Sequence, residues 1–474
     1  MSIEFRTTDP QLLDAVQWIA QETRREGGVL HVVGGGVRDA LLHREVADLD
    51  LELFGLEPSA VRTLLDRRFA LDQVGEAFGV LKLRGLAIDV GLPRRESKSG
   101  LGHRSFDVLS DPHMSPAEAA QRRDFTLNAI AYDPLTREII DPLGGVADLE
   151  ARTLRHTSER FAEDPLRVLR GMQFVARFDL APASETLEIC RRMTLEGLPA
   201  ERIFEEWRKL LVQGHRILNG LRFLEDSGWI RYFPEIGALR DCPQDPEWHP
   251  EGDVFTHVGH VLDAFAKARI KDPWEDLVVG LGCLCHDLGK PTTTVREEGR
   301  WRSKGHETAG EGPTRSLLGR MTAQTKLVES VVPLVLHHMK PFQLFAGRAG
   351  DAAIRRLALK VRIDRLVRVA RADSAGRPPL EADDQAERWL EEKAAALALR
   401  DSAPQPLLQG RHLIERGLRP GPDFGPLLER CFEAQIEGDF HDMDGAFGFL
   451  DRLLETEGDP GATSERNKVE SGGV

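Results

Sequence analysis

The first residues of the chain carry three different patterns of apolar and polar positions. Apolar residues at helical spacing predict a helix over residues 9–26. An apolar run then stops at the glycine triplet 34–36, and a strand follows in which Asp48, Asp50 and Glu52 alternate with leucines. Successive side chains of a strand point to opposite faces, so the three carboxylates share one face. Such a face is costly without a positive partner, and magnesium suits these hard oxygen ligands.

The next segments extend this mixed pattern. A hairpin is predicted over residues 78–90, with its turn near Gly85. Its second strand carries Asp89, which could reach the carboxylate face from a neighbouring strand. Residues 94–121 are polar and mixed, and we interpret them as a mobile loop that ends in a short helix. A mixed α/β head therefore extends to about residue 150.

The remainder of the chain is predicted to be helical. Segments with helical spacing cover residues 165–178, 184–194, 200–212 and 214–227. A Pro- and Asp-rich stretch at 243–250 indicates a boundary before a helical, His-rich region. The predicted domains are a head (1–150), a helical neck and body (151–242), a His-rich helical domain (250–400), C-terminal helices (401–455) and a disordered tail (456–474).

Composition narrows the class of protein. Of the 474 residues, 41% are apolar and 30% are charged, a balance typical of globular proteins. No apolar run approaches the roughly 18 residues of a membrane span, the amino terminus lacks a signal pattern, and the five cysteines are scattered. We therefore expect a cytoplasmic protein with no membrane partner. The net charge of −14 argues against non-specific nucleic-acid binding by the whole surface but leaves room for a local basic groove.

The glycine triplet indicates phosphate chemistry. It is not a dinucleotide fingerprint, which needs a third glycine where this chain has Asp39, and the Gly-Lys-Ser/Thr of a P-loop is absent. A glycine turn that bares backbone N–H groups at a helix start is an anion site, with Arg38 beside it. Next to paired carboxylates, this predicts two-metal phosphoryl transfer, in which one ion activates a hydroxyl and the other holds a triphosphate.

Five segments resemble, in order, the motifs of one family. Residues 34–39 with Asp48-Leu49-Asp50 resemble the first motif of the class II tRNA nucleotidyltransferase and bacterial poly(A) polymerase family. The second to fifth motifs are matched by residues 122–129, 141–145, 163–170 and 201–211. Five motifs in the same order are far more specific than a lone glycine triplet.

The resemblance implies a role for each motif. Asp48 and Asp50 would hold Mg²⁺, with Asp89 as a third catalytic carboxylate. Asp124 would lie near the ribose 2′-hydroxyl. The residues implied to bind nucleotide are Gly34, Gly35 and Arg38 at the triphosphate, Arg122, Arg123 and Asp124 at the sugar and phosphates, Asn128 of the same motif, and Asp164, Arg167 and Arg170 of the fourth motif.

Asp164 and Arg167 also suggest how the base is chosen. At positions i and i+3 they are expected to share a helix face. A carboxylate accepts from an exocyclic amine, and a guanidinium donates to a ring nitrogen or keto oxygen. Cytosine and adenine present an amine at the corresponding edge, whereas uracil and guanine present a keto oxygen. The pair can therefore select C and A, which matches the building of CCA without a nucleic-acid template.

Two features bear on the product. The poly(A) polymerase branch carries paired basic residues after the first motif, whereas residues 74–78 read Val-Gly-Glu-Ala-Phe here, which favours the tRNA-directed branch. The loop over 98–121 is of full length, which favours complete CCA addition or addition of the terminal A alone. Those two outcomes stay open, with a poly(A) polymerase as the further alternative.

The His-rich region carries a second constellation. The series is His257, the adjacent His286 and Asp287, His306, His338 and Asp373. It resembles the HD phosphohydrolase domain, whose pattern is H…HD…H…H…D. The resemblance implies an open site for a divalent metal of undetermined identity that activates water. His338 is preferred over its neighbour His337 as the ligand, and His260 is a substitute for His257.

Together the resemblances predict an α+β chain, with a polymerase-beta-like nucleotidyltransferase head built on a five-stranded sheet, an all-α neck and an α-helical HD domain. The head would add C and A from CTP and ATP to the tRNA 3′ end. The HD domain would act as a 2′,3′-cyclic phosphodiesterase and phosphatase. The rival hypotheses are an HD phosphohydrolase with a regulatory nucleotide-binding head, and a non-catalytic tRNA-binding factor. The oligomeric state is left open.

Overall fold

In a computed structural model of the chain, the described residues are 3–72, 80–98 and 106–458, and two compact units are formed. The first unit comprises residues up to 237 together with 319–323, and the second comprises 238–318 and the residues from 324 onward. The predicted α+β class is confirmed, because one mixed sheet lies in the first unit and helices form most of the rest. The five-part division of the chain stays a prediction.

The described part of the head contains nine strands and five helices. The strands are β1 (Val29–Val33), β2 (Leu49–Phe54), β3 (Leu71–Asp72), β4 (Val80–Leu83), β5 (Ile88–Gly91), β6 (Arg94–Lys98), β7 (Phe106–Ser110), β8 (Ala131–Tyr132) and β9 (Ile139–Ile140). The helices are α1 (Pro10–Arg25), α2 (Gly35–Leu41), α3 (Pro58–Leu65), α4 (Pro116–Ala120) and α5 (Gly145–Glu150), with a 3-10 turn at Thr126–Asn128.

Seven of these strands form the main sheet, in the order β3-β4-β5-β2-β1-β8-β9. The expectation of five strands is wrong, because two-residue strands extend both edges. At one edge Leu71 and Asp72 of β3 pair with β4. At the other, Asp133 fixes the turn between β8 and β9 by accepting from the N–H of Leu135 at 2.8 Å. Within the sheet β2 pairs with β5 in parallel and with β1 antiparallel.

The alternation predicted for β2 is confirmed by burial. Leu49, Leu51 and Leu53 are all buried, in one core with α1. Asp50 on the opposite face is exposed. Removing three leucine side chains from water fixes the register of β2, since a slip of one residue would bury its carboxylates instead. The hydrophobic core therefore sets the face on which the carboxylates stand.

The segment 94–121 is not a loop throughout, as the sequence had suggested. β6 and β7 pair antiparallel, from Arg94 opposite Ser110 to Lys98 opposite Phe106, and α4 follows. β6 has no apolar residue, so it lacks the alternation by which a strand is recognised. Residues 99–105, the 74–78 stretch used to choose the product, and the predicted disordered tail from 459 onward lie outside the described residues.

Helices predicted beyond the head are observed with small shifts at their ends. They are α6 (Leu166–Phe178), α7 (Ser184–Arg192), α8 (Ala200–Gln213) and α9 (Ile217–Asp226). Elements without a prediction are α10 (Pro234–Gly237), 3-10 turns at Glu159–Glu163 and Trp229–Tyr232, and the parallel pair β10 (Thr153–Leu154) and β11 (Ala181–Pro182). α6 packs on both α8 and α9. A Cβ placed on Gly171 would lie 2.7 Å from Phe223 Cζ, and one on Gly220 would lie 2.8 Å from the Met172 carbonyl oxygen. The two glycines therefore permit the close crossing of α6 and α9.

Over the described residues 254–458 the secondary structure is helical apart from one hairpin, β12 (Val295–Glu297) with β13 (Arg300–Arg302). The helices are α11 (Val254–Lys267), α12 (Pro273–Cys285), α13 (Lys290–Thr293), α14 (His306–Ala309), α15 (Glu311–Met321), α16 (Thr325–His337), α17 (Lys340–Ala346), α18 (Asp351–Ala358), α19 (Ile363–Ala375), α20 (Gln385–Ala396), α21 (Gly410–Glu415), α22 (Phe424–Glu437) and α23 (Met443–Gly458). Of these described helices, none combines the length and the apolar character that crossing a bilayer requires.

We predict that Gly171→Ala destabilises the protein because its new methyl group would overlap Phe223 at the α6–α9 crossing. Overpacking of this kind costs about 1–3 kcal/mol, so thermal unfolding followed by circular dichroism should begin at a lower temperature. The matched control is Gly319→Ala, an exposed position in α15 with nothing within 4 Å of the added Cβ. Equal unfolding temperatures for the two variants would contradict the close crossing.

Candidate functional site

Three carboxylates meet where β2 begins beside β5. The parallel register places Asp50 opposite Asp89. Asp48 immediately precedes the first residue of β2 and is exposed. Although Asp50 is exposed at its edge, desolvation by the surrounding protein raises its pKa. Arg123 opposes the rise, and Asp48 and Asp89 add to it. With Glu52, these residues form what we call the carboxylate edge.

Only part of the carboxylate edge is neutralised from within the protein. Glu52 accepts from Arg123 at 3.2 Å, and Asp89 pairs with Lys82 on β4 at 2.8 Å. Within the described ranges, Asp48 and Asp50 form no ion pair. Two negative charges thus remain uncompensated beside each other, which is the arrangement that a divalent cation stabilises. The residues present fit Mg²⁺, and the pair that would hold it is Asp48 and Asp50.

The glycine turn approaches this edge closely. Gly34 has φ of +75° and caps the start of α2. A Cβ at this position would lie 3.2 Å from Asp50 Oδ2. A side chain would therefore crowd the carboxylate as well as strain the backbone. Gly34 and Gly35 bring main chain, with no side chain, next to the carboxylate edge.

Arg38 is held in a closed network behind the turn. Its side chain is 5% exposed, donates to both oxygens of Asp39, and donates to Asn128 Oδ1 at 2.6 Å. The guanidinium also lies 4.4 Å from the centre of the Phe178 ring. Burial lowers the pKa of Arg38, and Asp39 opposes this. Its predicted contact with a triphosphate stays a prediction, since every described contact of the side chain is internal.

Asn128 connects Arg38 to Asp124. Its amide donates to Asp124 Oδ1 at 2.9 Å, and Arg170 on α6 donates to Asp124 Oδ2 at 2.7 Å. Burial alone would raise the pKa of Asp124, but Arg170 and Asn128 outweigh it and the pKa is lowered. The first, second and fourth motifs are therefore joined by one buried chain of charge-assisted hydrogen bonds.

The prediction that Asp164 and Arg167 share a helix face is wrong at Asp164. This residue lies before α6, with φ −124° and ψ 104°, because the residue before a proline avoids the helical region. Its Oδ1 accepts from the N–H of Leu166 at 3.0 Å, and its Oδ2 pairs with Arg202 of the fifth motif at 2.9 Å. Arg202 lies in residues 201–211, which were matched to the fifth motif without a role for this residue.

Arg167 makes different contacts. Its guanidinium donates to the carbonyl oxygens of Arg122 at 2.7 Å and Arg160 at 2.9 Å. Arg167 and Asp164 thus do not bond each other through their side chains among the described contacts. One cleft is lined by both carboxylates and arginines, namely Asp50, Glu52, Asp89, Arg122, Arg123 and Arg167. We call it the arginine–carboxylate cleft. Its two kinds of charge suit a triphosphate with its metal ion.

In the second unit, six predicted ligands converge. They are His257 on α11, His286 and Asp287 directly after α12, His306 on α14, His338 directly after α16, and Asp373 on α19. They form two groups, His257 with His286 and Asp373, and Asp287 with His306 and His338, and within each group the ligand atoms lie within 4.8 Å of one another. Asp287 links the groups, with Oδ2 3.2 Å from His286 Nε2 and Oδ1 3.4 Å from His306 Nε2. We call these six residues the His/Asp centre.

The histidines are oriented through their outer nitrogens. Nδ1 of His286, His306 and His338 lies 2.7–2.8 Å from a backbone carbonyl oxygen, that of Cys283, Ser303 and Val335 in turn. A carbonyl only accepts, so each Nδ1 carries a proton and each Nε2 faces inward, toward the other ligand atoms. This is the usual support of metal-bound imidazole.

Two inward-facing nitrogens lie close together. His306 Nε2 and His338 Nε2 are 3.0 Å apart. Burial and the neighbouring His286 lower the pKa of His338 to about 3, so this ring is neutral at ordinary pH. The buried Nε2 of His286 has no hydrogen-bond partner within the described part of the chain. The inward-facing imidazole nitrogens and the carboxylate oxygens of these residues are ligand types that fit a divalent cation.

His257 differs from the other histidines because a carboxylate supports it. Its Nδ1 lies 2.7 Å from Glu251 Oε1, and its Nε2 lies 3.1 Å from Asp373 Oδ1. Burial would lower the pKa of His257, but Asp373 and Glu251 raise it to about 9. Glu251 itself is fully buried. Burial would raise its pKa, yet His249 and His257 lower it to about 2.

Sequence reasoning missed three of the surrounding residues. Glu251 and Gln244 lie in or beside the stretch that had been interpreted as a linker, and Lys290 follows the His-Asp pair by three residues. Lys290 Nζ lies 2.7 Å from Asp287 Oδ2 and donates to Gln244 at 2.8 Å. The available signal was the Lys in His-Asp-Leu-Gly-Lys. Neither His337 nor His260 belongs to the groups of ligand atoms.

Two protein families match separate parts of the chain. The chain matches the Poly A polymerase head domain family over residues 30–155 and the HD domain family over residues 254–375. It is 36% identical over 421 residues to a multifunctional CCA protein of Stenotrophomonas maltophilia, covering 85% of this chain and 97% of that protein. A multifunctional CCA protein of Xanthomonas campestris is 35% identical over 427 residues, covering 86% and 98%.

Solved structures share the fold. The CCA-adding enzyme of Bacillus stearothermophilus in complex with CTP aligns with a TM-score of 0.66 at 23% identity, covering 95% of this chain and 99% of that one. The Thermotoga maritima CCA-adding enzyme complexed with tRNA aligns with a TM-score of 0.59 at 18% identity, covering 95% and 96%.

We predict that Glu251→Gln weakens metal binding at the His/Asp centre, because the neutral amide orients and polarises His257 less well. Loss of such an outer partner typically costs about 10- to 100-fold in metal affinity. Mn²⁺ titration followed by electron paramagnetic resonance measures it, in a background with Asp48→Asn and Asp50→Asn so that only this centre titrates. Glu298→Gln, at a side chain that is 89% exposed, is the matched control. Unchanged affinity in Glu251→Gln would remove Glu251 from this role.

Proposed function

Since the chain belongs to the family of multifunctional CCA proteins and is a nucleotidyltransferase, we propose that its head adds C and A from CTP and ATP to the 3′ end of tRNA. The observation that carries the proposal is the arginine–carboxylate cleft. The carboxylates Asp50 and Asp89 and three arginines line it together, namely Arg122, Arg123 and Arg167.

In the proposed reaction the terminal hydroxyl oxygen of the tRNA attacks the α-phosphorus of the nucleotide. The bond from that phosphorus to the bridging oxygen breaks, and pyrophosphate leaves. Mg²⁺ held by Asp48 and Asp50 would favour ionisation of the hydroxyl and neutralise charge on the phosphates. Gly34 leaves room for an ion beside Asp50, because a Cβ at this position would lie 3.2 Å from Asp50 Oδ2. Asp89 would help to hold the ion once its ion pair with Lys82 opens.

The arginines of the cleft orient the triphosphate and complement its charge. Arg123 is already placed at the carboxylate edge by Glu52, and Arg167 by the carbonyl oxygen of Arg122. Asp124 accepts the ribose hydroxyl in competition with its present partner Asn128. Arg38, buried under the glycine turn, acts by holding Asn128 and thereby the second motif.

Base choice is proposed to rest on Asp164 and Arg167. The carboxylate of Asp164 accepts the exocyclic amine that cytosine and adenine share, and Arg167 donates to the adjoining ring atom. Arg202 is a positioning residue in this proposal. It pairs with Asp164 Oδ2, while the N–H of Leu166 fixes Oδ1. The carboxylate is therefore held in one orientation, ready to accept.

The His/Asp centre supports a second activity, metal-dependent hydrolysis of phosphate esters. Its six residues would hold one or two divalent ions, which lower the pKa of bound water. Lys290 beside Asp287 balances the charge of the carboxylates. The substrates we propose are 2′,3′-cyclic phosphates and phosphomonoesters, so that the centre removes phosphate from RNA ends that the head extends.

A purely regulatory head is disfavoured by the carboxylate edge. A site that only bound nucleotide would have no need of two adjacent carboxylates without cationic partners, since phosphates would be repelled by them. Addition of the terminal A alone is the second candidate product, and it calls for the same residues in the head.

We predict that Asp48→Asn with Asp50→Asn lowers nucleotide addition by about a thousandfold or more, because charge stabilisation at the reacting phosphate is lost. Pyrophosphate release measures it, with each of the four nucleotides and with tRNA ending before CCA, after C and after CC. The wild type should use CTP on the first two and ATP on the third.

The matched control is His286→Ala with Asp287→Ala, which should add nucleotides at the wild-type rate and lose phosphate-ester hydrolysis. Use of ATP alone, on tRNA ending after CC, would reduce the head to terminal A addition. Extension at the wild-type rate by the Asp48/Asp50 variant would overturn the metal assignment.

We predict that Arg202→Met relaxes base choice, because Asp164 loses the partner that orients it. Discrimination of ATP over GTP, as the ratio of kcat/KM values, should fall by about 10-fold, the effect of one weakened buried hydrogen bond. Asp164→Ala should lower it further, by roughly 100-fold when the amine loses its acceptor altogether. Arg208→Met is the control, since Arg208 pairs with Glu205 on the same helix. An unchanged ratio in both Arg202→Met and Asp164→Ala would assign base choice elsewhere.

A further inference from the structure

The cavity at the His/Asp centre has an aromatic mouth. Its lining includes Trp248 and Trp301 as well as Asp287, His306 and His338. Trp248 is 56% exposed, which is more than any other described tryptophan. A metal centre for hydrolysis has no need of indole rings. Exposed aromatic surface beside it indicates a ligand with an apolar, planar part.

The two indoles are fixed relative to each other. Trp301 lies on β13, and Trp248 lies in the segment before α11. Arg300, next to Trp301, forms ion pairs with Asp245 at 3.6 Å and with Glu247. The backbone N–H of Trp248 donates to the backbone carbonyl oxygen of Asp245 at 3.1 Å. These contacts join the hairpin that carries Trp301 to the segment that carries Trp248.

Arg377 supplies a cation in the same cavity. It follows Asp373 by four residues and lines the cavity with it. Its Nε is buried and has no hydrogen-bond partner, and its guanidinium forms no ion pair, as far as the described residues extend. Lys290 in the same cavity differs, because Asp287 and Gln244 already engage its ammonium group. Arg377 therefore has donors to offer a ligand.

Metal ligands, a guanidinium with free donors and two indoles on one cavity match the parts of a nucleoside phosphate. The phosphate ester would lie between the His/Asp centre and Arg377, because a guanidinium forms strong hydrogen bonds with phosphate oxygens. The base would stack on the indoles, since every base has a π-face. A base-free phosphate ester would leave the aromatic mouth unused.

We propose that Trp248 and Trp301 are specificity-determining residues that stack the terminal base of the substrate, and that Arg377 anchors its phosphate. The inference rests on the phosphohydrolase function proposed above. In the reaction, a water oxygen bonds to the phosphorus of a nucleoside 2′,3′-cyclic phosphate. One of the two ester P–O bonds breaks, and its oxygen takes a proton to become a ribose hydroxyl. The product is a nucleoside monophosphate, and the base is unchanged.

The test compares two substrates that differ only in the base. They are adenosine 2′,3′-cyclic phosphate and methyl ribofuranoside 2′,3′-cyclic phosphate, assayed with the full chain and Mn²⁺ by phosphorus nuclear magnetic resonance. The wild type should prefer the adenosine compound. Trp248→Ala and Trp301→Ala should each lower kcat/KM for it by about 5- to 150-fold, the range that loss of one stacking partner gives. Their kcat/KM for the methyl riboside should stay within about twofold of wild type.

Arg377→Met separates the two roles. It should lower kcat/KM for both substrates by a similar factor, about 10- to 100-fold, because both carry the phosphate. Trp274→Ala is the control, since Trp274 lies in the same unit, contacts Lys326 and does not line the cavity. Equal use of both substrates by the wild type, or equal losses on both in the tryptophan variants, would overturn the stacking role.

A second measurement keeps the inference distinct from the hydrolytic function. If the wild type cleaves neither substrate, the proposed phosphohydrolase function fails, and equilibrium dialysis of labelled adenosine 2′-monophosphate against the metal-free proteins decides the inference alone. Weaker binding in Trp248→Ala and Trp301→Ala than in Trp274→Ala would support the base site. Equal binding in all of them would overturn it, because the head contributes the same background to every variant.

Discussion

Like charges held close together in a partly buried place set the central constraint on this protein. Two unit charges 4 Å apart repel by about 4 kcal/mol at an effective dielectric constant near 20. The pairing of β2 with β5 brings Asp50 opposite Asp89, and the leucine core fixes that register. The chain relieves the repulsion at Glu52 with Arg123 and at Asp89 with Lys82. Among the described residues, Asp48 and Asp50 form no ion pair. An external cation is therefore most strongly favoured at the negative charge of Asp48 and Asp50.

The His/Asp centre meets the same constraint with a different set of partners. Its carboxylates Asp287 and Asp373 are buried, and their pKa values are lowered, because burial is outweighed by His286 and Lys290 at the first and by His257 and His286 at the second. Glu251 extends the compensation outward by supporting His257. In both sites a predicted ligand is held by a hydrogen-bond partner: Asp124 by Asn128 and Asp164 by Arg202 in the first unit, and His257 by Glu251 in the second.

Much of this arrangement could be predicted from the sequence where a short-range pattern encodes it. Alternation over residues 48–53 predicted the burial of β2, and helical spacing predicted α6, because each signal lies within a few neighbouring residues. The strand β6 was missed because it has no apolar residue to alternate. The helical placement of Asp164 failed because Pro165 outweighs the i, i+3 spacing. Local patterns therefore succeed where the burial of apolar residues sets the structure. They fail where a strand has no apolar residue, as in β6, or where one backbone restriction decides the conformation, as at Asp164.

Positioning residues are harder to predict for a reason of the same kind. Arg202 is 38 residues from Asp164 in sequence, and Asn128 is 90 residues from Arg38, so no spacing rule joins them. Glu251 lies only six residues from His257, yet its Pro-rich surroundings are typical of a linker. In the structure that segment is part of the His/Asp cavity, contributing the buried Glu251 and the exposed Trp248. A proline-rich segment that contains a buried carboxylate and an exposed indole does more than connect two helices, because both features are costly unless the site they border uses them.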